Sequence, residues 1–550
     1  MNVGEMQRKL SQQAERSPEH QFDDLFNLLY DADWLRLAHD YVAQNAGSVT
    51  AGCDGINMKT FDEHLEDNLQ TLAKAIKSGS FEPQPVRRVY IPRPDGRKRP
   101  LGIHSIRDRI VQEALRMILE PIYEADFSQY SFGFRPNRCT MDAIKCVTWY
   151  ATNNVGYFWV IEGDISSYFD TIGHRKLMKL LKQRIKDKKV LDLIWKFLRA
   201  GVMERRLFHD TNLGVPQGGI LSPLLSNIYL HQLDKYMERY SGLSRHEKTR
   251  RRKQGLANFA YARYADDWVV LVKGTNRQAE EMKAELGKFL KCHLRLNLCE
   301  EKTRISHVND GFEFLGFKIV RKIGQSGKWA PAALIPQTSL VKFRQKIAMA
   351  TDPDTTYQSV NSTILALNQI IRGWCCYYRH TAKASSQFNP LRHYVFWRMA
   401  HWLGRKHKLK MSEVIRQFCR GSTFANGKYQ LLMPTDIKTK LNKGSFKKPN
   451  PYTMQVIHLQ REELPQETCW TGQEPRPGMA DLRPIVLERD GFICQGCGQS
   501  VTPQSAQVDH KRPVRRFKRP VEANRLDNLQ TLCLKCHKQK HQSDRQWKAG

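Results

Sequence analysis

Acidic residues are in short supply in this chain of 550 residues: 55 Asp and Glu stand against 88 Lys and Arg, a formal net charge of +33. A globular enzyme acting on a neutral metabolite has no use for that excess. It points to a polyanionic partner, because each phosphate neutralised by a basic side chain releases condensed counterions. The basic residues run through the whole chain among Trp, Tyr and Phe, which favours nucleic acid over a membrane surface. No apolar run approaches the roughly 20 residues a spanning helix needs. Residues Met1 to Arg16 lack the apolar core of a secretory signal, so the expected location is intracellular: a bacterial cytoplasm, with an organellar matrix as the alternative. No solenoid-type repeat is found. The thirteen cysteines show no regular spacing until position 490, where four fall into two Cys-x-x-Cys pairs. In a reducing compartment that spacing favours a metal over disulfides.

The length calls for three to five units. Between Phe22 and Ala43 the residues Leu25, Leu28, Leu29, Trp34, Leu35 and Leu37 suggest short amphipathic helices. From Val86 to Ile103 two β-like runs flank Pro94-Asp95-Gly96, a hairpin signal. Helices and strands then alternate to about Val320, which implies a mixed α/β body. From Ser339 onward strands thin out, and Ile364, Leu367, Ile371, Trp374 and Tyr378 form a helical stripe. A second helix is expected from Leu391 to Leu403, stopping at Gly404. Residues 405–450, rich in Lys with Gly and Pro, read as a basic, partly flexible connector. The last unit starts near Asp481.

Four segments carry chemistry. Val160-Ile161-Glu162-Gly163-Asp164-Ile165 is a buried strand that delivers a carboxylate at its end. Tyr264-Ala265-Asp266-Asp267 lies between two apolar runs, a strand-turn-strand with adjacent acids at its tip. Alone, an Asp-Asp pair is more often a turn former. A fold that brought Asp164 beside Asp266 would hold two divalent cations about 3.5–4 Å apart, and hard cations such as Mg²⁺ call for such oxygen ligands. Gly214-Val215-Pro216-Gln217-Gly218-Gly219 precedes Ser222-Pro223, read as an N-cap with Pro at N1. Its glycines would admit a nucleotide or template base, and Gln217 would supply an amide. The hairpin with Arg87, Arg93, Arg97, Lys98 and Arg99 could close over a triphosphate, or be merely a charged edge strand.

In this order the segments resemble the reverse transcriptases of mobile group II introns, over nearly the whole chain. The residues that carry the resemblance are Ile91-Pro92-Arg93-Pro94-Asp95-Gly96, Arg99-Pro100-Leu101-Gly102-Ile103, Ser131-Phe132-Gly133-Phe134-Arg135-Pro136, Glu162-Gly163-Asp164-Ile165, Pro216-Gln217-Gly218-Gly219, Tyr264-Ala265-Asp266-Asp267 and Phe314-Leu315-Gly316-Phe317. The resemblance implies a multidomain α+β protein, a right-hand polymerase of fingers and palm with a helical thumb. It makes Asp164, Asp266 and Asp267 the Mg²⁺ ligands and Phe169 the gate against a ribose 2′-hydroxyl. Arg93 and Arg99 become dNTP contacts, and Phe314–Phe317 a primer grip. Arg372-Gly373-Trp374-Cys375-Cys376-Tyr377-Tyr378-Arg379 is similar to the Gly-Trp-x-x-Tyr-Tyr segment of the family's maturase domain, which implies a thumb that also grips intron RNA. Lys406, Lys408 and Lys410 fit that use.

Near the C-terminus, Cys494, Cys497, Cys533 and Cys536 suit a closed tetrahedral Zn²⁺ site, and in about 70 residues the metal would supply much of the folding energy. Between and after them come Val508-Asp509-His510, Asp527-Asn528 and His537. A His beside an Asp, with Asn and a second His downstream, can activate water and hold one divalent cation. The pattern resembles the HNH endonuclease domain, a small zinc-stapled ββα-metal fold. This implies His510 as general base, Asp509 and His537 as ligands of a divalent cation such as Mg²⁺, and Asn528 as a supporting or ligating group. Lys511, Arg512, Arg515, Arg516, Lys518 and Arg519 form a stretch suited to DNA backbone.

The expected organisation is an N-terminal extension and start of the fingers (1–85), fingers and palm (86–325), thumb and maturase domain (326–425), a basic DNA-binding linker (426–480) and the nuclease (481–550). The expected activities are RNA-directed DNA polymerase, splicing maturase and target-nicking endonuclease, with intron RNA, target DNA and dNTPs as partners and a homodimer as an open possibility. Two rivals stand beside this reading: a splicing factor that has lost mobility, and a host-defence reverse transcriptase unconnected to an intron.

Overall fold

The computed structural model describes residues 2–92, 96, 98–204, 207–209, 213–215, 218–324, 327–440, 444–453, 486–487, 489–502, 506–511, 528–533, 536–537 and 539–540. The chain forms two compact units by contact. The first comprises Met1–Met349, Ile370–Val395 and Pro434–Leu459, the second Ala350–Gln369, Phe396–Met433 and Gln460–Gly550. A single apolar cluster runs through the first unit from Val3 to Leu296. Among the described residues no helix is long and apolar enough to cross a membrane.

In the first unit, helix Ile106–Glu124 is buried along almost its whole length, and helices Val3–Arg16 and Ala32–Ala43 lie against it. The fully buried Trp34 fixes this packing by donating its Nε1–H to the Ala114 carbonyl at 3.2 Å. Asp31 starts Ala32–Ala43 by accepting from the Asp33 and Trp34 N–H groups, an N-cap that satisfies two otherwise orphaned donors. The expected amphipathic helices between Phe22 and Ala43 are therefore a short 3₁₀ turn, Phe26–Tyr30, followed by one α-helix.

Strands β1 (Val86–Pro92) and β2 (Lys98–Ile103) form the basic hairpin. Next come β3 (Trp159–Gly163), β4 (Val202–Glu204) and β5 (Leu207–His209), then β6 (Asn258–Tyr264), β7 (Asp267–Lys273) and β8 (Arg304–His307). One sheet has the order β2-β1-β4-β5, the other β6-β7-β3-β8. In the latter, β6 and β7 are buried almost throughout, as expected for a continuous apolar run such as Trp268–Val272 covered on both faces. Helices Thr140–Tyr150 and Ser222–Ser241 pack on β6 and Asn276–Phe289 on β3. Helix Ser222–Ser241 begins one residue sooner than expected, so Leu221 is its N-cap and Pro223 falls in the first turn. A third sheet, β9 (Phe312–Phe314), β10 (Phe317–Ile323) and β11 (Trp329–Leu334), is antiparallel.

Two expectations for the helical region need correction. The second helix runs from Ala384 to His407, through Pro390 and Gly404. Its end comes where Lys408 takes φ +54° and Leu409 N–H returns to the Gly404 carbonyl, so a lysine occupies the left-handed position expected of glycine. Residues 405–450 are not a plain connector. In the second unit they form helix Met411–Phe418 and the small sheet β12 (Cys419–Arg420), β13 (Thr423–Asn426) and β14 (Tyr429–Gln430). In the first unit, residues 444–453 lie as a strap on the body. Phe446 stacks near Tyr130 and Trp149, Asn450 reaches Ser11 and Glu15, and Tyr452 donates to Glu120 at 2.5 Å. The last strands, β15 (Ala506–His510) and β16 (Leu529–Cys533), pair antiparallel in the second unit.

Candidate active sites

The carboxylates come together through strand register. Strands β6 and β7 pair from Asn258↔Lys273 to Tyr264↔Asp267, which leaves Ala265 and Asp266 as the hairpin tip. Strand β3 pairs with the other side of β7 and ends at Gly163↔Trp268. The next residue on each strand is an aspartate, Asp164 beside Asp267. The chain after Asp164 is held in place by hydrogen bonds from Cys299 N–H to its carbonyl (2.9 Å) and from Ser166 N–H to Asn297 (3.0 Å). Burial, and then the Asp164 charge, raise the Asp266 pKa against the pull of Arg99 and Arg263. Burial together with the Asp266 and Asp164 charges pushes Asp267 up to about 6, with Lys302 opposing. Lys302 Nζ lies 2.6 Å from Asp164 Oδ2. Three carboxylates gathered this closely, two of them with raised pKa values, form a site whose charge calls for cations, and an all-oxygen donor set suits hard divalent ones.

What fixes the hairpin is a set of buried groups that no motif announced. Arg263, fully buried on β6, donates Nε and Nη2 to the two oxygens of Asp234 at 2.7 and 2.6 Å. Its Nη1 reaches Asn227 Oδ1 (2.9 Å) and the Ala265 carbonyl (3.0 Å). Burial alone would raise the Asp234 pKa, but Arg263 holds it well below the usual carboxylate range. The sequence signal was there: an arginine inside an apolar strand cannot be buried without a partner. Asn227 also donates to the Gly133 carbonyl (2.9 Å). A Cβ on Gly133 would meet Ala265 N at 2.3 Å, so the Ser131–Pro136 segment props the hairpin through its glycine. A Cβ on Gly163 would fall 2.1 Å from the Trp268 ring.

Phe169 is half-buried and its carbonyl accepts from Val215 N–H at 2.8 Å. Gly214 (φ +87°) sits against Asp170, and a Cβ on Gly218 (φ +110°) would meet the Gly102 carbonyl at 2.6 Å. In the glycine-rich loop, Gly214 therefore sits against the Phe169 turn and Gly218 against β2. Buried His104, whose pKa burial and then Arg109 push down to about 4, is joined to Gln112 at 3.0 Å beneath this loop. Arg99 is exposed on β2, while Arg87 is committed to the Ala51 carbonyl at 2.6 Å. Arg93, Arg97 and Gln217 lie outside the described residues.

The Phe314–Phe317 segment is the β9–β10 hairpin, with Leu315 and Gly316 both at positive φ, a type I′ arrangement. Two adjacent tyrosines hold its tip: Tyr377 donates to the Leu315 carbonyl at 2.7 Å and Tyr378 to that of Gly316 at 2.9 Å. Trp374 and Tyr378 share the Ser339 hydroxyl. The Gly-Trp-x-x-Tyr-Tyr motif thus buttresses the hairpin rather than merely filling a core. In the second unit, Lys406 is committed to the Thr356 carbonyl at 2.9 Å, and Lys408 and Lys410 are exposed.

At the C-terminus the Sγ atoms of Cys494, Cys497, Cys533 and Cys536 all lie within 4.8 Å of one another, Cys497 and Cys533 at 3.8 Å. Tetrahedral ligands at about 2.3 Å from a zinc ion stand about 3.8 Å apart, so the four sulfurs fit such an ion. Burial would raise the Cys494 thiol, yet the N–H groups of Cys533, Gly496 and Cys497 bring it down to about 6. Strand β15 presents Asp509 and His510, both buried, opposite Gln530 and Leu529, with Asn528 just beyond. The Asn528 carbonyl accepts from Lys511 N–H at 2.6 Å. His537 is half-buried three positions before Lys540, whose Nζ lies 2.6 Å from Asp509 Oδ2. The expected basic stretch beyond Lys511, and Asp527, lie outside the described residues.

Comparison with known proteins agrees along the chain. Family models match for reverse transcriptase (RNA-dependent DNA polymerase) over residues 91–319, for the group II intron maturase-specific domain over 340–419 and for HNH endonuclease over 494–543. The chain is 30% identical to the group II intron-encoded protein LtrA of Lactococcus lactis subsp. cremoris, covering 96% of this chain and 97% of that one. It is 42% identical to protein YkfC of Escherichia coli (strain K12), over 62% of this chain and 95% of that one. With the putative COX1/OXI3 intron 2 protein of Saccharomyces cerevisiae it shares 33% identity over 54% of this chain and 38% of that one.

Proposed function

Because the chain belongs to the group II intron-encoded proteins and carries their reverse transcriptase, maturase and HNH endonuclease domains, we propose that it serves intron mobility by target-primed reverse transcription. It binds intron RNA, assists splicing, nicks a DNA target and copies the intron from the new 3′ end. Its body is a right-hand polymerase, with fingers and palm at 86–325 preceded by an extension at 1–85. Thumb and maturase domain occupy 326–425, a DNA-binding linker 426–480 and the nuclease 481–550. It works in a bacterial cytoplasm.

The observation that carries the polymerase is the strand register that gathers Asp164, Asp266 and Asp267. Bound there, divalent cations such as Mg²⁺ would lower the pKa of the primer 3′-hydroxyl and neutralise the triphosphate. Phe169 and the Gly214–Gly219 loop, with Gln217, line the nucleotide side. Arg93 and Arg99 take the triphosphate of the incoming dNTP, and Phe169 rejects a 2′-hydroxyl by contact. Phe314–Phe317 holds the primer strand.

In the nuclease, His510 takes a proton from the attacking water. Asp509 and His537 hold a divalent cation, whose chemistry is to stabilise charge on the scissile phosphate, and Asn528 supports or completes that set. The four cysteines hold structural Zn²⁺. Asp266→Ala is expected to abolish primer extension on an RNA template while leaving target nicking intact, and His510→Ala to do the reverse. Persistent synthesis by the first variant, or joint loss in either one, would overturn the two-site assignment.

A further inference from the structure

Helix Arg245–Lys253, Arg-His-Glu-Lys-Thr-Arg-Arg-Arg-Lys, buries none of its side chains. A surface helix is normally held by an apolar stripe. This one is held by polar ties: a capping box between Ser244 and Glu247, Arg251 on the Ala257 carbonyl at 3.0 Å, and Asn258 Nδ2 on the Lys248 carbonyl at 2.8 Å. Its one acid, Glu247, is turned back onto the cap, so the helix offers the solvent a row of cations.

Further cations lie on neighbouring elements, since helix Thr140–Tyr150, on which the strap rests, and helix Arg245–Lys253 both pack against β6. Partial burial, and then the Lys447 charge, lower the Lys248 pKa. Burial, and then Arg252, do the same to Lys273. Lys447 belongs to the docked strap and is itself exposed. It is placed there by Phe446 against Trp149 and by Lys448, whose carbonyl accepts from Arg138 (3.1 Å) and whose Nζ pairs with Asp142 (3.6 Å). Holding like charges close raises the energy of the free protein, and a bound polyanion relieves it. A nine-residue helix is about 13 Å long, and duplex DNA carries a charge every ~1.7 Å along its axis.

We propose that helix Arg245–Lys253 and the docked strap around Lys447 form one surface for the phosphate backbone of target DNA duplex. The inference rests on the reading of 426–480 as a DNA-binding linker: the strap lies within that segment, and its docking extends the DNA path onto the helix. Phosphate contacts of this kind position the duplex without reading its sequence.

The test uses the full chain and a blunt-ended DNA duplex, with a structured RNA as the second probe. Arg250, Arg252 and Lys253 are exposed, so the triple variant Arg250→Gln/Arg252→Gln/Lys253→Gln should fold and extend a short primer like the parent. Its duplex affinity should fall at least tenfold near physiological salt, and the slope of log affinity against log salt should drop by about 2–3. Lys447→Gln should lower the slope by about 1. RNA affinity should stay near that of the parent. Unchanged duplex affinity and slope in the triple variant overturns the proposal. So does a loss confined to RNA, or equal on both probes. If Lys447→Gln weakens duplex binding and the triple variant does not, the linker reading stands and this inference falls.

Discussion

The carboxylate site and the C-terminal nuclease are held together in opposite ways. In the polymerase body, strand register on two sides, a buried Arg263–Asp234 pair, glycines at Gly133 and Gly163, and a continuous apolar cluster all fix the same three aspartates. In the nuclease the described buried cluster consists of Leu487, Cys494, Val501, Ala506 and Leu532, with Val508, Cys533 and Cys536 packed on it. Three of those eight are the cysteines themselves. One site is over-determined by packing; the other depends on a single knot of four sulfurs. Two kinds of chemistry can share one chain while having quite different tolerance to damage.

The sharpest way to break that contrast is to remove one sulfur. Cys533→Ser, or treatment with a zinc chelator, should eliminate nicking and make the C-terminal 70 or so residues sensitive to protease. Structural zinc contributes about 10–16 kcal/mol to such modules, more than a small core can replace. Primer extension should stay within about twofold, because the strands that fix the three carboxylates all belong to the first unit. Retained nicking in the Cys533→Ser protein would show that the module stands on its apolar residues after all.

The next largest effect probes the over-determined side. Arg263→Met leaves the Asp234 carboxylate buried without its bidentate partner, a change worth about 3–5 kcal/mol. Urea unfolding of the body should shift accordingly, and primer extension should fall with it. The double variant Arg263→Met/Asp234→Leu should recover most of the stability, because the cost lies in the orphaned charge rather than in the lost pair. Failure of the double variant to recover would mean that the Asn227 and Ala265 hydrogen bonds, not the ion pair, carry the hairpin.

The same contrast explains what could be read from the sequence. Local patterns were legible: the Tyr264–Asp267 turn between apolar strands, the carboxylate after Gly163, and the paired cysteines. Each is written in a few neighbouring residues. The pairing of β3 with β7 joins residues about a hundred positions apart, and no local pattern specifies such a partner. Arg263 was legible as an anomaly, but its partner Asp234 lies on a helix whose own periodicity gives no hint of it. The docking of the strap at 444–453 has no local signature, because the composition there is that of a linker. Its docking rests on Phe446, Asn450 and Tyr452, too few side chains to make a pattern. The left-handed end at Lys408 is hidden for a different reason: Gly404 offers the residue type that ends helices, yet the helix continues past it to His407.

The smallest effect sharpens the contrast from the polymerase side. Tyr378 donates to the Gly316 carbonyl and accepts from Ser339, while Tyr377 holds the adjacent Leu315 carbonyl of the same tip. Tyr378→Phe removes the hydroxyl but keeps the ring against Phe317 and Trp374. One hydrogen bond of this kind is worth about 0.5–1.5 kcal/mol, and the type I′ turn is still pinned by its neighbour. The unfolding midpoint should therefore move only slightly, and primer extension should drop a few-fold at most, seen mainly as a higher KM for primer-template. Adding Tyr377→Phe should do more than double the loss, since the second hydroxyl is then the last tie on the hairpin tip. A strictly additive pair would mean the two tyrosines hold the turn independently, and that the redundancy ascribed to this side of the molecule does not extend to the β9–β10 hairpin.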